Sequence, residues 1–280
     1  MRRRLFGQKR TRVNTLFTIA IFSTLTAISS VSCSKNENVL VTEIGVSPPS
    51  RRSATTSIGG KFYIQGKDQH LNGDLQAAIA SYSKAINQNS QYGAAYNGRG
   101  LAYFDLGDKD KAIADYNQAL RINPDDAEAY NNLGNARASL GSNREAVKDY
   151  SEAIRLNPNY AEAYNNRGNA RVTNGDKKGA IDDLNQAILL NPKYAIAYNN
   201  RGNARAANGD PQGAIADYNQ AIRLNPSFAP AYNNRGNARV TNGDKQGALK
   251  DLQQAASIFQ SQGNNDLYQQ VMNNIKELGQ

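Results

Sequence analysis

From Gly59 to the end of the chain, apolar residues fall in short stripes separated by polar turns. In the stretch Ala161 to Tyr194, Ala180, Leu184, Ala187 and Ile188 stand at i, i+4, i+7 and i+8, one face of an α-helix. Ahead of them Tyr164 and Gly168 lie one turn apart in a segment of their own, where the glycine lets the second segment approach closely. Gly175-Asp176 separates the two segments. Asn191-Pro192 ends the second, because proline disfavours helical geometry in the residue before it. The pattern predicts a hairpin of two helices.

The same pattern returns every 34 residues. Tyr stands at 96, 130, 164, 198 and 232 with Phe62 in register, and Ala at 78, 112, 146, 180, 214 and 248. Six blocks fit without insertion: 59–92, 93–126, 127–160, 161–194, 195–228 and 229–262. Such a period marks a stacked array in place of a single globular core. Asp at 74, 108, 176, 210 and 244 is placed to cap each second helix, and Pro211 sits where a first-turn proline is harmless. Ser142 with Glu145 predicts a capping box in the third block. Asp125 with Glu128, and Asn159 with Glu162, are expected to cap the helices that follow. Ser90 and Gln260 replace the block-ending proline in the first and last blocks, as suits terminal repeats. After Gly263, Asp266 is expected to cap a final helix over 263–280 in which Leu267, Val271, Ile275 and Leu278 share a face. That helix would close the open end of the array.

Charge adds a leader to this picture. Of the net +9, residues 1–58 carry nine Lys or Arg against two Glu, whereas 59–262 carry 23 basic and 20 acidic residues. The basic balance therefore belongs to the leader and argues against nucleic-acid binding by the array. Residues 1–32 pair a basic start with an apolar run, Leu16 to Val31, and read as an export signal or an uncleaved membrane anchor. The run ends at Ser30-Val31-Ser32-Cys33, which resembles a bacterial lipoprotein signal and makes Cys33 a candidate for lipidation, with Ser30 where that motif usually has Leu. Ordinary cleavage at Ser30 to Ser32 is the alternative. Residues 33–58, with Pro48-Pro49 and a Ser/Thr-rich run, read as a flexible spacer. The array is expected outside the cytoplasm, joined to a membrane by the leader or a lipid.

Aromatic at block position 4, Gly at 8, Ala at 20, aromatic at 24, Ala at 27 and Pro at 32 together resemble the tetratricopeptide repeat family. The resemblance covers about three quarters of the chain. It implies an all-α, right-handed superhelical solenoid of six 34-residue helix-turn-helix repeats plus a C-terminal capping helix. It also implies a concave groove lined by the first helices from positions 2, 5, 6, 9, 12 and 13, and a function in binding proteins or peptides.

On that reading the candidate contacts are the position-six asparagines Asn132, Asn166, Asn200 and Asn234, with Asn135, Asn169, Asn203 and Asn237 at position nine. A primary amide offers a peptide bond both a donor and an acceptor. The position-six row resembles the asparagine ladder of O-linked N-acetylglucosamine transferases; Gly98 and Ile64 interrupt it in the first two blocks. The position-five asparagines are expected to bond neighbouring backbone or water. Arginine at positions 7 and 11 accompanies Asp115, Asp149, Asp183, Asp217 and Asp251 at position 23, and block one lacks all three charges, so the arginines are expected to pair with the aspartates between helices.

Chemistry is otherwise sparse. Cys33 and His70 are single, which excludes disulfides, thiolate zinc sites and Cys-His catalysis within one chain. His70 reads as a surface residue without a partner. No catalytic pair, metal spacing or phosphate loop is found, so no enzyme activity, cofactor, metal or small-molecule substrate is expected. The sequence thus points to a non-enzymatic scaffold that holds an extended segment of a protein or peptide partner. The alternative is an assembly factor for a membrane complex, acting by self-association or docking.

Overall fold

The structure, a computed structural model, describes residues 58–279. The expected export signal over 1–32, the candidate lipidation site Cys33 and all of the expected 33–58 spacer except Ile58 lie outside the described residues. Within them the chain forms thirteen helices and no strand. The first helices of the six repeats are α1 (Gly60–Leu71), α3 (Gly93–Leu106), α5 (Ala127–Ser139), α7 (Ala161–Thr173), α9 (Ala195–Ala207) and α11 (Ala229–Thr241). Their second helices are α2 (Leu75–Gln88), α4 (Lys109–Ile122), α6 (Asn143–Leu156), α8 (Lys177–Leu190), α10 (Pro211–Leu224) and α12 (Lys245–Ser261). The chain ends in α13 (Asn265–Leu278).

Each helix packs on the next in sequence, and successive first helices also touch one another. Second helices form no comparable row, so the array curves toward the first-helix side and presents those helices on its inner, concave face. The core is a series of small clusters, such as Ala146, Tyr150 and Ala170, each shared between neighbouring repeats. No repeat encloses its own core, which is why the hairpins must stack.

Position eight explains how close the two helices of a hairpin come. A Cβ on Gly134 would lie 2.6 Å from the Tyr150 ring, on Gly202 2.5 Å from Tyr218, and on Gly168 2.8 Å from Leu184. The turn between the helices places glycine in the left-handed region, as at Gly175 with φ 84°. The aspartate that follows caps the next helix: Asp176 accepts from the Gly179 N–H at 3.0 Å, and Asp74, Asp108, Asp210 and Asp244 do the same in their repeats.

Four expected caps are corrected. Ser142 is at the N-cap of α6 but its side chain makes no cap bond. At α5 the cap is Asp126, accepting from the Ala129 N–H, and α7 starts at Tyr160 without a side-chain cap. The final helix is capped by Asn264, accepting from Leu267, with Asp266 in the first turn. For α5 and α7 the shift has one cause: Asn123 and Asn157 Oδ1 accept from Asp125 and Asn159 N–H, closing a turn that pushes the next helix one residue on.

That asparagine, more than the proline after it, ends the second helix. Asn89 is extended at φ −143° and accepts from the Gln91 N–H although Ser90 replaces proline. In the sixth repeat Phe259 takes the asparagine's place and α12 runs on for 17 residues. The extra turn supplies Ile258 and Phe259 to the cluster that buries Leu267 and Val271 of α13, with Ile275 and Leu278 packed against it as the apolar face of α13 predicts.

Candidate partner-binding groove

The asparagines of the first helices join into a row along the inner face. Asn233 Nδ2 donates to Asn234 Oδ1, Asn234 to Asn199 at 3.0 Å, Asn199 to Asn200, Asn200 to Asn165 at 3.0 Å, Asn165 to Asn166, and Asn166 to both Asn131 and Asn135 at 3.1 Å. Asn132 continues it by donating to Asn97 at 3.1 Å. The position-five asparagines, expected to serve backbone or water, are thus the acceptors that link one repeat to the one before. Asn132 and Asn234 are buried, whereas Asn166 and Asn200 are half-buried and reach the groove. Asn166 spends both of its Nδ2 hydrogens within the row, but Asn200 Nδ2 keeps one, and Asn166 and Asn200 Oδ1 each keep a lone pair, so a peptide backbone can bond to the row without dismantling it.

Position nine is tied to position 24. Tyr150 and Tyr218 hydroxyls donate to Asn135 and Asn203 Oδ1, both at 2.9 Å. Where one member of the pair changes, the other is stranded: Tyr116, opposite Leu101, has a buried hydroxyl without a partner, and Asn237, opposite Leu252, has a buried Nδ2 without one. Asn169, opposite Leu184, is half-buried. Tyr116→Phe is therefore expected to leave stability unchanged or raise it slightly. Tyr218→Phe, which orphans Asn203, should cost about 1–3 kcal/mol in denaturant unfolding.

The arginines and aspartates pair as the sequence suggests. In the fourth repeat Arg167 donates from Nε and Nη2 to Asp183 at 2.9 and 2.7 Å, and Arg171 donates from Nη1 to the same carboxylate at 2.8 Å. Arg201 and Arg205 hold Asp217, and Arg235 and Arg239 hold Asp251, in the same way. The position-seven arginine also crosses to the previous repeat: Arg167 Nη1 reaches Ser151 at 3.0 Å and Arg201 Nη1 reaches Asn185 at 2.8 Å. It lies over the tyrosine three residues earlier as well, as Arg201 does over Tyr198 at 5.4 Å.

The third repeat breaks this network. Leu133 replaces the position-seven arginine, so Asp149 keeps only Arg137, at 2.7 Å. Burial pushes the Asp149 carboxyl up to about 6, against the pull of Arg137; Glu145 adds to the rise and Lys148 opposes it. Folded Asp149 thus holds its proton more tightly than the unfolded chain, whose value is near 3.8. Its contribution to stability is complete below about pH 4 and is lost as pH rises through about 6. Leu133→Arg, which restores the second arginine opposite Asn117, is expected to flatten that stretch of the stability–pH curve. Unfolding midpoints between pH 4 and 7 check it.

His70 has the partner that its place in a terminal repeat did not suggest: Nε2 lies 2.7 Å from Asp105 Oδ2 of the next repeat.

These repeats match known models. A TPR repeat model matches residues 66–107, 100–141, 134–175, 168–209 and 202–243, and a tetratricopeptide repeat model matches 229–262. The chain belongs to the tetratricopeptide repeat family. Among solved structures, MamA is 30% identical with a TM-score of 0.52, over 59% of this chain and 96% of that one. YrrB, described as a TPR protein with an unusual peptide-binding site, is 24% identical with a TM-score of 0.52, over 63% of this chain and 91% of that one. PilW, described as a type IV pilus biogenesis factor, is 21% identical with a TM-score of 0.67, over 72% and 94%. No curated protein sequence matches.

Tetratricopeptide repeats are in general non-catalytic, and this array has the architecture of a protein-interaction scaffold. Two features of it escaped the sequence reading. Asn97 belongs to the amide row although Gly98 beside it breaks the position-six series. The position-25 side chains Ser83, Ser151, Asn185 and Asn219 receive the crossing arginines, and their polar recurrence on an otherwise packed helix was the available signal.

Proposed function

We propose that the protein is an exported scaffold, joined to a membrane by its leader or by a lipid on Cys33, that holds an extended segment of a partner protein along the first-helix groove. The amide row carries this reading. It runs through repeats two to six of the concave face, and at its half-buried members it keeps one free donor, on Asn200, and free acceptor capacity on Asn166 and Asn200. Such a row bonds an extended backbone with little regard to side chains. The likeness to YrrB, itself described by its peptide-binding site, supports capture of a peptide segment.

The test is crosslinking and recovery of native partners with the full chain, beside Asn166→Ala/Asn200→Ala and the outer-face control Asp182→Ala. The double variant is expected to lose partners that the wild type and the control retain. An unchanged partner list from a folded double variant contradicts binding by the amide row. Membrane attachment is tested apart: the mass of the mature N-terminus should show a lipid on Cys33 or a retained leader, and an unmodified terminus beyond residue 33 contradicts both.

A further inference from the structure

Three of the large apolar side chains left in solvent fall at one place in the repeat. Leu71 ends α1, Leu106 ends α3 and Leu140 follows the end of α5, and they are 72%, 45% and 49% exposed. They also adjoin one another. His70 Nε2 lies 2.7 Å from Asp105 Oδ2, which sets the last turn of α1 beside that of α3 and brings Leu71 and Leu106, the next residues, to the same edge. Lys109 Nζ donates to the Ser139 carbonyl at 3.2 Å, which sets the turn after Leu106 against the end of α5 and its Leu140. The leucines thus form an apolar ridge along the turn edge of repeats one to three. It stops there: the place of Leu140 is taken in repeats four to six by Asn174, Asn208 and Asn242. Exposed apolar side chains gathered in one place mark a surface that something covers.

The ridge lies at the end of the array from which residues 1–57 depart. Among these, Val39 to Val46 holds five apolar residues in eight: Val39, Leu40, Val41, Ile44 and Val46. Alternate residues of an extended segment share a side, which groups Leu40, Ile44 and Val46. Eight extended residues span about 26 Å. Leucines on three adjacent first helices span about 20 Å, at roughly 10 Å between neighbouring axes. Residues 47–57 can make the connection, since they reach up to about 36 Å, whereas α1 is about 18 Å long. The way along α1 is polar. In the fourth repeat, positions three and ten are Ala163 and Ala170, packed against the repeat before. In the first repeat they are Lys61 and Asp68, both exposed, and they suit the Ser- and Thr-rich residues 47–57. Arg52 lies six residues ahead of Ile58 and reaches about 20 Å from it. Asp68 is about 15 Å along the helix, within range of Arg52 and of Arg51 beside it.

We propose that residues 39–46 of this same chain dock in extended form along Leu71, Leu106 and Leu140, with Arg51 and Arg52 passing Asp68 on the way. Tethering makes a weak contact sufficient, because a segment held by a short linker meets its site at an effective concentration of the order of millimolar. This part of the expected spacer then acts as a strap. It holds the turn edge of repeats one to three toward the N-terminal leader and so sets how the array is presented. The strap is separate from the amide row, and its docking does not depend on what the groove binds.

Amide hydrogen exchange, read by mass spectrometry on the full chain in mild detergent, tests this. Residues 39–46 are expected to exchange at least about tenfold more slowly than residues 50–57, at the same rate in dilute and concentrated protein. The ridge variant Leu71→Ser/Leu106→Ser/Leu140→Ser should abolish that protection. Leu189→Ser, which removes an equally exposed leucine from α8, should keep it. The variant Leu40→Ser/Ile44→Ser leaves the array untouched and should speed exchange at 70–72, 105–107 and 139–141, so the proposal remains testable if the ridge variant fails to fold. Exchange over 39–46 as fast as over 50–57 in the wild type overturns the strap. So does protection that survives the ridge variant, which would mean cover by the micelle or by another surface. Protection that grows with protein concentration would assign the ridge to a second copy and overturn it equally.

Discussion

Asp183→Ala is expected to cost about 3–5 kcal/mol of unfolding free energy, the cost of removing one partner from a buried charge cluster. The carboxylate is buried and receives three bonds from two arginines whose side chains are only 15% and 25% exposed. Without it, Arg167 and Arg171 sit one helical turn apart as like charges, with only the exposed Asp176 carboxylate, 3.6 Å from Arg171, left as a counter-ion. Arg171 also donates to the Gly179 carbonyl and Arg167 to Ser151, so neither is free to swing into water without breaking another bond. Asp149→Ala supplies the contrast. There a single arginine, 30% exposed, loses its partner, and the aspartate it replaces was already disposed to be neutral. A loss of about 1 kcal/mol is expected. Urea unfolding of the two variants side by side measures the difference; equal losses would mean that the arginine pair does not set the cost.

Gly202→Ala should destabilise by about 3 kcal/mol through overpacking. The new methyl would lie 2.5 Å from the Tyr218 ring, and that ring is held at its far end by the bond to Asn203. It cannot retreat without giving up the bond. Gly236→Ala in the next repeat meets Leu252 at 3.0 Å, a flexible side chain with no polar anchor, and should cost less than half as much. Thermal unfolding of both variants decides whether the tyrosine anchor or the helix spacing alone makes the glycine necessary.

Most of the hairpin architecture could be read from the residues because each feature is local. Helical periodicity, a glycine-aspartate turn and an asparagine-proline stop each act within a few residues, and all agree. The ion pairs were legible for a different reason: Arg and Asp disappear together from the first repeat, which favours mutual contact over a free row of arginines. The caps of α5 and α7 were misplaced by one residue. An Asn side chain that closes its own turn competes for the same N–H groups as the cap, and periodicity does not say which wins. The direction of the amide row was not legible at all. A bond from Asn200 to Asn165 spans 35 residues, one more than the repeat, and depends on how far each hairpin is rotated against the last.

The groove itself is tested most directly by placing a photo-crosslinking amino acid at Ala94, on the exposed rim of α3, and separately at Asp182, on the exposed face of α8. Irradiation in the cells that make the protein should join the partner to position 94 and leave position 182 free. Crosslinks from position 182 with none from position 94 would place the partner on the second helices and contradict binding in the concave groove.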